Sequence, residues 1–423
     1  MRTMKDSGIE WIGEIPATWK CYSLTQLFGQ VKCKNTGMFE NNLLSLSYGR
    51  IINKDINTTN GLLPESFESY NIVEPGDIVL RLTDLQNDHT SLRVGLSTQR
   101  GIITSAYLTI RNESKNLSRF LYYQLHAFDI CKGLYGMGAG VRQGLNWDGV
   151  KLLKMVVPSV VEQQMIVDTL DRKCAEIDAV IERTKATIEE YKKLKQSIIT
   201  EAVTKGIRGN RPMKDSGIEW SGKIPAEWNV VKMKHLGKCR NGLTYSPENL
   251  VSEDEGILVL RSSNIKDGRL AFTDNVYVNS EVREELMVKA GDILICSRNG
   301  SRALIGKNAL IPEGLYASFG AFMMIFRCQS PKYVQMVLNS AVFSYYLGTF
   351  LTSTINQLTA DNFNNMQIVY CEDETEQEEI TQYLDKKCAE IDTLIARKTA
   401  LLEEMESYKK SVIYEYVTGK KEV

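Results

Sequence analysis

The sequence predicts a mixed α/β (α+β) protein in which two long antiparallel coiled-coil helices join two domains, with an internal pseudo-two-fold repeat. Three observations lead to this fold class: a short opening segment occurs twice, a long helical pattern occurs twice, and the regions between them differ. The 423 residues suffice for two or three domains. The predicted segments are a first domain over 1–158, a first helix over 159–207, a second domain over 208–370 and a second helix over 371–423.

The repeat begins with the opening segment, which reads MKDSGIEWIGEIPATW at Met4–Trp19 and MKDSGIEWSGKIPAEW at Met213–Trp228. A second match, at an offset of 214 residues, relates Leu170–Thr204 to Leu384–Thr418. Self-similarity of this kind is the signature of a repeated structural unit. The unit is an opening segment, a variable domain and a near-constant helix, used twice.

Each helix carries apolar residues at alternating steps of four and three, which is the spacing of a coiled-coil seam. Neither Pro nor Gly interrupts 162–205 or 376–418, so each helix is expected to reach roughly 60 Å. Any long amphipathic helix has an apolar stripe, but recurrence at the same place in both repeats favours an antiparallel pair. The predicted seam consists of Leu170, Ile177, Ile181, Ile188 and Ile198 with Leu384, Ile391, Ile395, Leu402 and Val412.

The two variable domains are predicted to be mixed α/β because short strand-like runs precede one apolar helix in each. The first helix starts near Ser118, and the second has Ser330 as its N-cap and Pro331 in its first position. Gly-Asp-Ile occurs at 76–78 and 291–293, where the Asp is expected to cap a turn into a strand. The strand-like runs are Asp77–Leu82, Ile102–Ile110, Ile257–Leu260, Asp292–Cys296 and Ala321–Phe326.

Sequence patterns of catalysis are missing. The chain has no GxxxxGK[ST], HExxH or GxSxG motif, and its three histidines stand apart, with His126 expected in a core. The nine cysteines form no CxxC pair, so neither a zinc site nor a disulfide framework is expected. The glycine-rich run 136–140 is interpreted as a loop, not a nucleotide site. With no apolar signal or membrane-length segment, the expected location is the cytoplasm.

The remaining chemistry is that of DNA reading. Arginine can bridge guanine O6 and N7, Asn and Gln can bridge adenine N6 and N7, and Lys, Ser and Thr favour phosphates. The net charge of −1 argues only weakly against nucleic acid, because acidic residues are concentrated at 372–379. The candidate DNA-contacting residues are Arg81, Thr83, Asn87, His89, Arg93, Arg142, Gln143 and Asn146 in the first domain, and Arg261, Ser262, Asn264, Lys266, Ser297, Arg298, Asn299, Arg302, Asn356 and Gln357 in the second.

These features together resemble the specificity subunit of a type I restriction-modification system over essentially the whole chain. The resemblance rests on the doubled opening, the two Gly-Asp-Ile marks, Val157-Pro158 followed by Glu162-Gln163-Gln164, and the two helices. One departure is the acidic stretch Cys371–Thr375, which replaces the proline usual before the second helix.

The resemblance implies two target-recognition domains that each read one half of a bipartite double-stranded DNA target. It also implies that this chain binds no cofactor or metal and is not itself an enzyme. Two modification subunits with S-adenosylmethionine would dock on the helices, and two restriction subunits using ATP and magnesium would join them.

Two other functions remain as alternatives. A self-contained DNA methyltransferase or nuclease would need a cofactor loop or metal-binding acids, and binding of S-adenosylmethionine by the isolated chain would favour it. A coiled-coil adaptor that never touches DNA would fit the helices. It would not explain why two dissimilar domains are attached to one repeated frame.

The dissimilar domains generate a prediction about modularity. Replacing Lys20–Pro158 with the variable domain of a relative should change one half of the recognised target only, because each domain is expected to read independently. Methylome sequencing of a strain that carries the chimera with its modification subunit measures this. A change in both halves, or in neither, would contradict independent reading.

Overall fold

The computed structural model describes residues 2–57, 64, 66–85, 88, 90–137, 144–218, 220–279, 281–351 and 356–423. The chain forms two compact units, which we name the first unit (up to Lys185, with Ala400–Val423) and the second unit (Ala186–Thr399). The boundaries between the units fall inside both long helices, so each unit contains part of each helix. None of the helices in the described part of the chain combines the length and apolar character needed to cross a bilayer.

The first unit is built around an antiparallel four-stranded sheet in the order β4-β11-β8-β9, with two-stranded pairs β1-β2, β3-β12, β5-β6 and β7-β10. The strands are β1 Met4–Asp6, β2 Glu14–Pro16, β3 Lys20–Ser23, β4 Phe28–Gln30, β5 Leu44–Ser47, β6 Arg50–Asn53, β7 Asn71–Val73, β8 Ile78–Leu80, β9 Val94–Leu96, β10 Gly101–Ile103, β11 Leu108–Asn112 and β12 Lys154–Val157. The helices are α1 Leu24–Leu27, α2 Ser118–Ile130, α3 Trp147–Val150 and the start of α4, Val160–Lys205.

The second unit has an equivalent sheet in the order β16-β25-β22-β23, and a second sheet in the order β17-β21-β18-β24. Its strands are β13 Met213–Asp215, β14 Lys223–Pro225, β15 Asn229–Lys232, β16 Gly237–Asn241, β17 Leu250–Val251, β18 Ile257–Leu260, β19 Ile265–Lys266, β20 Arg269–Leu270, β21 Tyr277–Val278, β22 Ile293–Cys296, β23 Asn308–Leu310, β24 Ala317–Phe319, β25 Met323–Cys328 and β26 Gln367–Tyr370. Its helices are α5 Met233–Leu236, α6 Pro331–Leu338, α7 Ala341–Phe350, α8 Ala360–Asn365 and most of α9, Glu374–Val417; single 3₁₀ turns occupy Pro247–Asn249, Glu253–Glu255, Ser262–Asn264, Glu284–Leu286 and Arg302–Leu304.

Most of the predicted elements are confirmed, although one predicted strand is two strands and several others are shorter than predicted. Helix α2 begins at Ser118, Pro331 is the first residue of α6, and β18 has the predicted limits. The run Ile102–Ile110, predicted as one strand, is two strands in different sheets, because the chain turns where the Tyr107 N–H donates to Thr104 O. The run predicted from residue 321 starts as a strand only at Met323.

Each Gly-Asp-Ile mark caps a turn, as predicted, and also anchors its central sheet. Asp77 accepts two bonds of 2.7 Å from Arg111 on β11, and its carboxylate accepts the Glu74 N–H at 2.8 Å. In the second unit, Asp292 makes the same contacts with Arg327 on β25, at 2.6 Å each, and with the Lys289 N–H at 2.8 Å. Both side chains are buried, and these hydrogen bonds offset the free-energy cost of burying a polar group.

The repeated opening segments join the start of one helix to the end of the other. In the first unit Arg2 pairs with Glu162 at the start of α4, and Lys420, after α9, donates to the carbonyls of Ile12 and Glu14. In the second unit the equivalent of Arg2, Arg211, pairs with the equivalent of Glu162, Glu376, at 2.6 Å. The buried tryptophans of the openings, Trp19 and Trp228, lie in the cores of their units together with Val417 and Val203 respectively.

The helices α4 and α9 contain 46 and 44 residues and run antiparallel within each unit. In the first unit Lys409 Nζ lies 2.6 and 2.8 Å from the Asp178 carboxylate. In the second unit the equivalent pair has its lysine on α4 and its aspartate on α9: Lys195 Nζ lies 2.7 Å from both Asp392 oxygens. Predicted seam residues that are buried are Leu170, Ile177, Ile181, Ile188, Leu384, Ile391 and Val412, and those that are half-buried are Ile198, Ile395 and Leu402.

The duplicated ion pairs generate a prediction about helix register. Replacing Lys195 by Asp, or Asp392 by Lys, should lower the free energy of unfolding by about 1 kcal/mol, because each places like charges in contact. The double reversal should recover most of that loss. Urea unfolding followed by circular dichroism measures the three variants.

A matched control is Lys192→Asp, because Lys192 forms only an exposed ion pair with Glu189 one turn earlier on the same helix. It should change the unfolding free energy by under about 0.5 kcal/mol. If the double reversal were as unstable as the two single variants added together, the ion pair would not define the register.

Candidate nucleic-acid interface

In the first unit, two of the polar loops predicted to read DNA are joined. Strand β8 leads into the loop 81–88, of which the structure describes residues 81–85 and 88. The Leu145 N–H donates to Leu82 O at 2.8 Å, which attaches the segment before α3 to this loop. Thr83 and Asn146 are exposed in these loops, and Asn146 also caps α3 by accepting the Gly149 N–H. Arg81 is half-buried.

The charge state of this loop is set by local hydrogen bonds. Bonds from Ser91, and further bonds from Thr90, hold the pKa of the Asp88 carboxyl well below its usual range. The ionised Asp88 lies 3.5 Å from Arg81. Arg81 therefore has a compensating charge in the free protein, which a DNA phosphate or base would have to displace.

Arg93 differs from the expectation that it contacts DNA. Its side chain is fully buried, and its guanidinium donates to the carbonyls of Arg81, Thr83, Asp84 and Asp88 and to the Tyr135 hydroxyl. A guanidinium has five N–H donors, and these contacts use them. Arg93 holds the loop 81–88 in shape and has no surface to offer to DNA, so we remove it from the DNA-contacting set.

In the second unit, three predicted loops meet. The Leu358 N–H donates to Ser297 O at 2.7 Å, an isolated bridge pairs Arg298 with Gln357, and Asn299 Nδ2 donates to Ser262 Oγ at 3.1 Å. These contacts unite the loops 261–266, 297–302 and 356–358. The candidates exposed on the united loops are Lys266, Arg298, Arg302 and Gln357, whereas Arg261, Ser262, Asn299 and Asn356 are half-buried.

Asn264 and Ser297 are buried supports of these loops and not exposed readers. Asn264 Oδ1 accepts the Arg261 N–H, and its amide donates to Ala271 O. Ser297 Oγ donates to Phe322 O at 2.9 Å. Both positions satisfy buried backbone groups, so they differ from the expectation of direct DNA contact.

The two units join their loops in the same way. Leu82–Leu145 and Ser297–Leu358 are equivalent backbone bonds, each formed just after the strand that follows a Gly-Asp mark. The predicted residues Asn87, His89, Arg142 and Gln143 lie outside the described residues.

A histidine and an aspartate of α2 are both buried. His126 is buried, as predicted, and burial lowers its pKa to about 4. Burial raises the pKa of Asp129 to about 6, and its carboxylate accepts the backbone N–H of Arg93. Asp129 therefore serves the same loop support as Arg93.

One exposed residue at the second set of loops was missed by sequence analysis. Phe322 is 58% exposed, and the Arg298 guanidinium carbon lies 5.3 Å from its ring centroid. Sequence analysis placed Phe322 inside an apolar strand because it precedes Met323-Met-Ile-Phe326. Only the later start of β25 shows that Phe322 belongs to the turn.

The role of Arg93 generates a stability prediction. Arg93→Lys should lower the free energy of unfolding by about 1–3 kcal/mol, because lysine has three donors and leaves some of the backbone carbonyls that Arg93 bonds without partners. Urea unfolding measures the effect. Arg298→Lys is the matched control: Arg298 is exposed, and the same substitution there should cost under about 0.5 kcal/mol. Unchanged stability with weakened DNA binding would instead return Arg93 to the contacting set.

The chain is similar to curated specificity subunits, although no family model matches it. It is 26% identical over 205 residues to the type I restriction enzyme StySPI specificity subunit of Salmonella potsdam, and 25% identical over 211 residues to the EcoKI specificity subunit of Escherichia coli K12. Each match covers 47% of this chain and 44% of the relative, so it spans less than half the length of these relatives. The MjaVIII specificity subunit of Methanocaldococcus jannaschii is 24% identical over 334 residues, covering 76% of this chain and 75% of that subunit.

The fold matches a solved structure over almost the full length. A chain from a structure of complex assembly and conformational transition in the type I restriction-modification system superposes with a TM-score of 0.71. The superposition covers 96% of this chain and 99% of that chain, at 15% identity. The predicted resemblance is thereby confirmed: the chain is similar in sequence to specificity subunits of type I restriction enzymes, and its fold is similar to that of a chain from a type I restriction-modification system.

Proposed function

We propose that this chain is a non-catalytic DNA-recognition subunit of a type I restriction-modification complex, in which each unit reads one half of a bipartite duplex target. The observation that carries the proposal is the equivalent joining of polar loops in both units, Leu82 to Leu145 and Ser297 to Leu358. The backbone bonds that join the loops are repeated in both units, whereas the side chains exposed on the loops differ. Two DNA-recognition sites with the same architecture and different sequence preferences would have these properties.

The exposed side chains have chemistry suited to the duplex. Arg298, Gln357 and Arg302 can reach base edges, and Lys266 suits a phosphate. In the first unit, Thr83, Asn146 and Arg81 would have the corresponding roles. Asn87, His89, Arg142 and Gln143 remain part of the proposal for the first unit.

The two helices are proposed to form a coiled-coil pair that sets the spacing of the half-sites and docks two modification subunits. Support for docking comes from apolar residues exposed at equivalent places on both helices. Val180 and its equivalent Leu394 are 45% and 39% exposed, and Leu194 and its equivalent Tyr408 are each 48% exposed. Equivalent surfaces fit two identical partners, which would supply S-adenosylmethionine chemistry, while restriction subunits would supply ATP- and magnesium-dependent cleavage.

A selection experiment tests the proposal. The full chain, reconstituted with its modification subunit, should enrich duplexes with two fixed sequences separated by a fixed spacer from a randomised library. Removing matched heptads, 181–187 and 395–401, should shorten the spacer by a few base pairs or abolish binding, because a heptad is about 10 Å of helix and a base pair about 3.4 Å of duplex. The two half-site sequences should not change.

A chain that carries Lys192→Asp, with both helices at their full length, serves as the control and should select the wild-type spacer. Enrichment of no bipartite sequence by the wild-type complex would refute the DNA-recognition function. Selection of the unaltered spacer by the paired-deletion variant would refute only the role of helix length.

A further inference from the structure

The second unit holds an arginine and an aromatic ring together at the centre of its joined loops. The Phe322 carbonyl accepts the N–H groups of Ser297 and Arg298 at 3.0 and 3.1 Å, so the turn before β25 is tied to the loop 297–302. The Gly320 N–H donates to Leu260 O, which ties the same turn to the loop that follows β18. Phe322 is therefore fixed by its backbone while its ring remains 58% exposed.

The Arg298 guanidinium lies over this exposed ring, at 5.3 Å from the centroid. This distance is within the range of a cation–π contact. The N–H donors of a guanidinium lie in its plane, so stacking one face on a ring leaves the donor edge available. A planar donor edge is what bidentate recognition of guanine O6 and N7 requires.

Two other arginines of the joined loops have polar partners of their own. Arg261 forms an ion pair with Asp274 at 2.9 Å, and the Arg302 guanidinium donates to Gly348 O at 3.5 Å. Within the described residues, no ion pair involves Arg298. Its backbone is held by the bridge to Gln357 and its side chain by the ring.

The first unit lacks this pair at the equivalent place. Ile78 lies opposite Ile110 in the first unit, and Ile293 lies opposite Phe326 in the second. Ile110 and Phe326 are therefore equivalent, and four residues before them Ala106 is equivalent to Phe322. Counting forward five residues from Ile78 and Ile293 aligns Thr83 with Arg298. The Arg–Phe pair is thus a feature of one unit and not of the shared frame, as expected of a group that determines specificity.

We propose that Phe322 is a positioning residue for DNA reading. Its ring holds the Arg298 guanidinium so that the N–H edge can recognise a guanine in the half-site read by the second unit. This inference rests on the proposed DNA-recognition function. It adds a residue that acts through Arg298, and it commits one base of one half-site to guanine.

Competition binding tests the proposal, using the full chain with its modification subunit and duplexes altered at each half-site position in turn. Arg298→Ala should reduce discrimination at one G·C pair by about 5- to 150-fold. Phe322→Ala and Phe322→Leu should each reduce it at the same pair by about 2- to 5-fold. Phe322→Tyr should retain the wild-type value, because it keeps the aromatic face, and leucine keeps only apolar bulk.

The double variant Arg298→Ala with Phe322→Ala should match Arg298→Ala alone, because the ring acts through the arginine. Tyr316→Ala is the matched control: Tyr316 is 71% exposed and lies just before β24, at the opposite end of that strand from Gly320. It should leave discrimination unchanged. The half-site read by the first unit should also be unchanged in every variant, which shows that the protein is folded.

Several outcomes would overturn the inference. Unchanged discrimination in Phe322→Ala contradicts it, and so does a reduction that is even at all positions or that falls at a different base pair from that of Arg298→Ala. Additive effects of Phe322→Ala and Arg298→Ala would also contradict it. Equal behaviour of Phe322→Leu and Phe322→Tyr would show that only bulk matters. A wild-type complex without any bipartite preference would instead refute the proposed function itself, whereas a normal wild-type preference with an unaffected Phe322→Ala refutes this inference alone.

Discussion

Neither repeat buries its own core with its own helix alone, and this constraint organises the whole chain. The first core contains Val412, Ile413, Tyr416 and Val417 from the end of α9, and the second contains Ile199, Ala202 and Val203 from the end of α4. Burial of apolar surface contributes about 25 cal/mol per Å² to the free energy of unfolding. The end of α9 therefore stabilises the first unit, and the end of α4 stabilises the second. Each unit therefore needs part of both helices to complete its core.

The residues that follow α9 pack closely against the opening segment of the first unit. Gly419 has φ +72°, in the left-handed region, and a Cβ there would lie 2.4 Å from Pro16 Cδ. Glycine is the residue that tolerates both the conformation and the close approach. Beside it, Lys420 donates to two carbonyls of the opening segment, which explains why the opening must lie next to the helix end.

Buried charge defines where the polar loops start. Asp77 with Arg111, and Asp292 with Arg327, pin the strands that lead into the loops 81–88 and 297–302. Removing one partner of such a pair would leave a desolvated charge, so the loop origin is strongly determined. Beyond that point each unit uses its own supports: a buried arginine, Arg93, in the first, and the buried amide of Asn264 in the second. Because the loops start at the same place in both units but are held by different residues, they can present different side chains on the same architecture.

The sequence by itself determined the repeat, the two long helices and the turn-capping role of the Gly-Asp-Ile marks, because these depend on local spacing and propensity. Only the tertiary structure decided which loop residues reach solvent. Arg93, Asn264 and Ser297 have the same chemistry as DNA-reading residues, but long-range contacts with backbone carbonyls and amides bury them. Phe322 has the chemistry of a core residue, but β25 starts at Met323, two residues later than predicted, and leaves the Phe322 ring in solvent under Arg298. Side-chain type indicates what a residue can bind, whereas its exposure depends on partners far away in the chain, which no local pattern specifies.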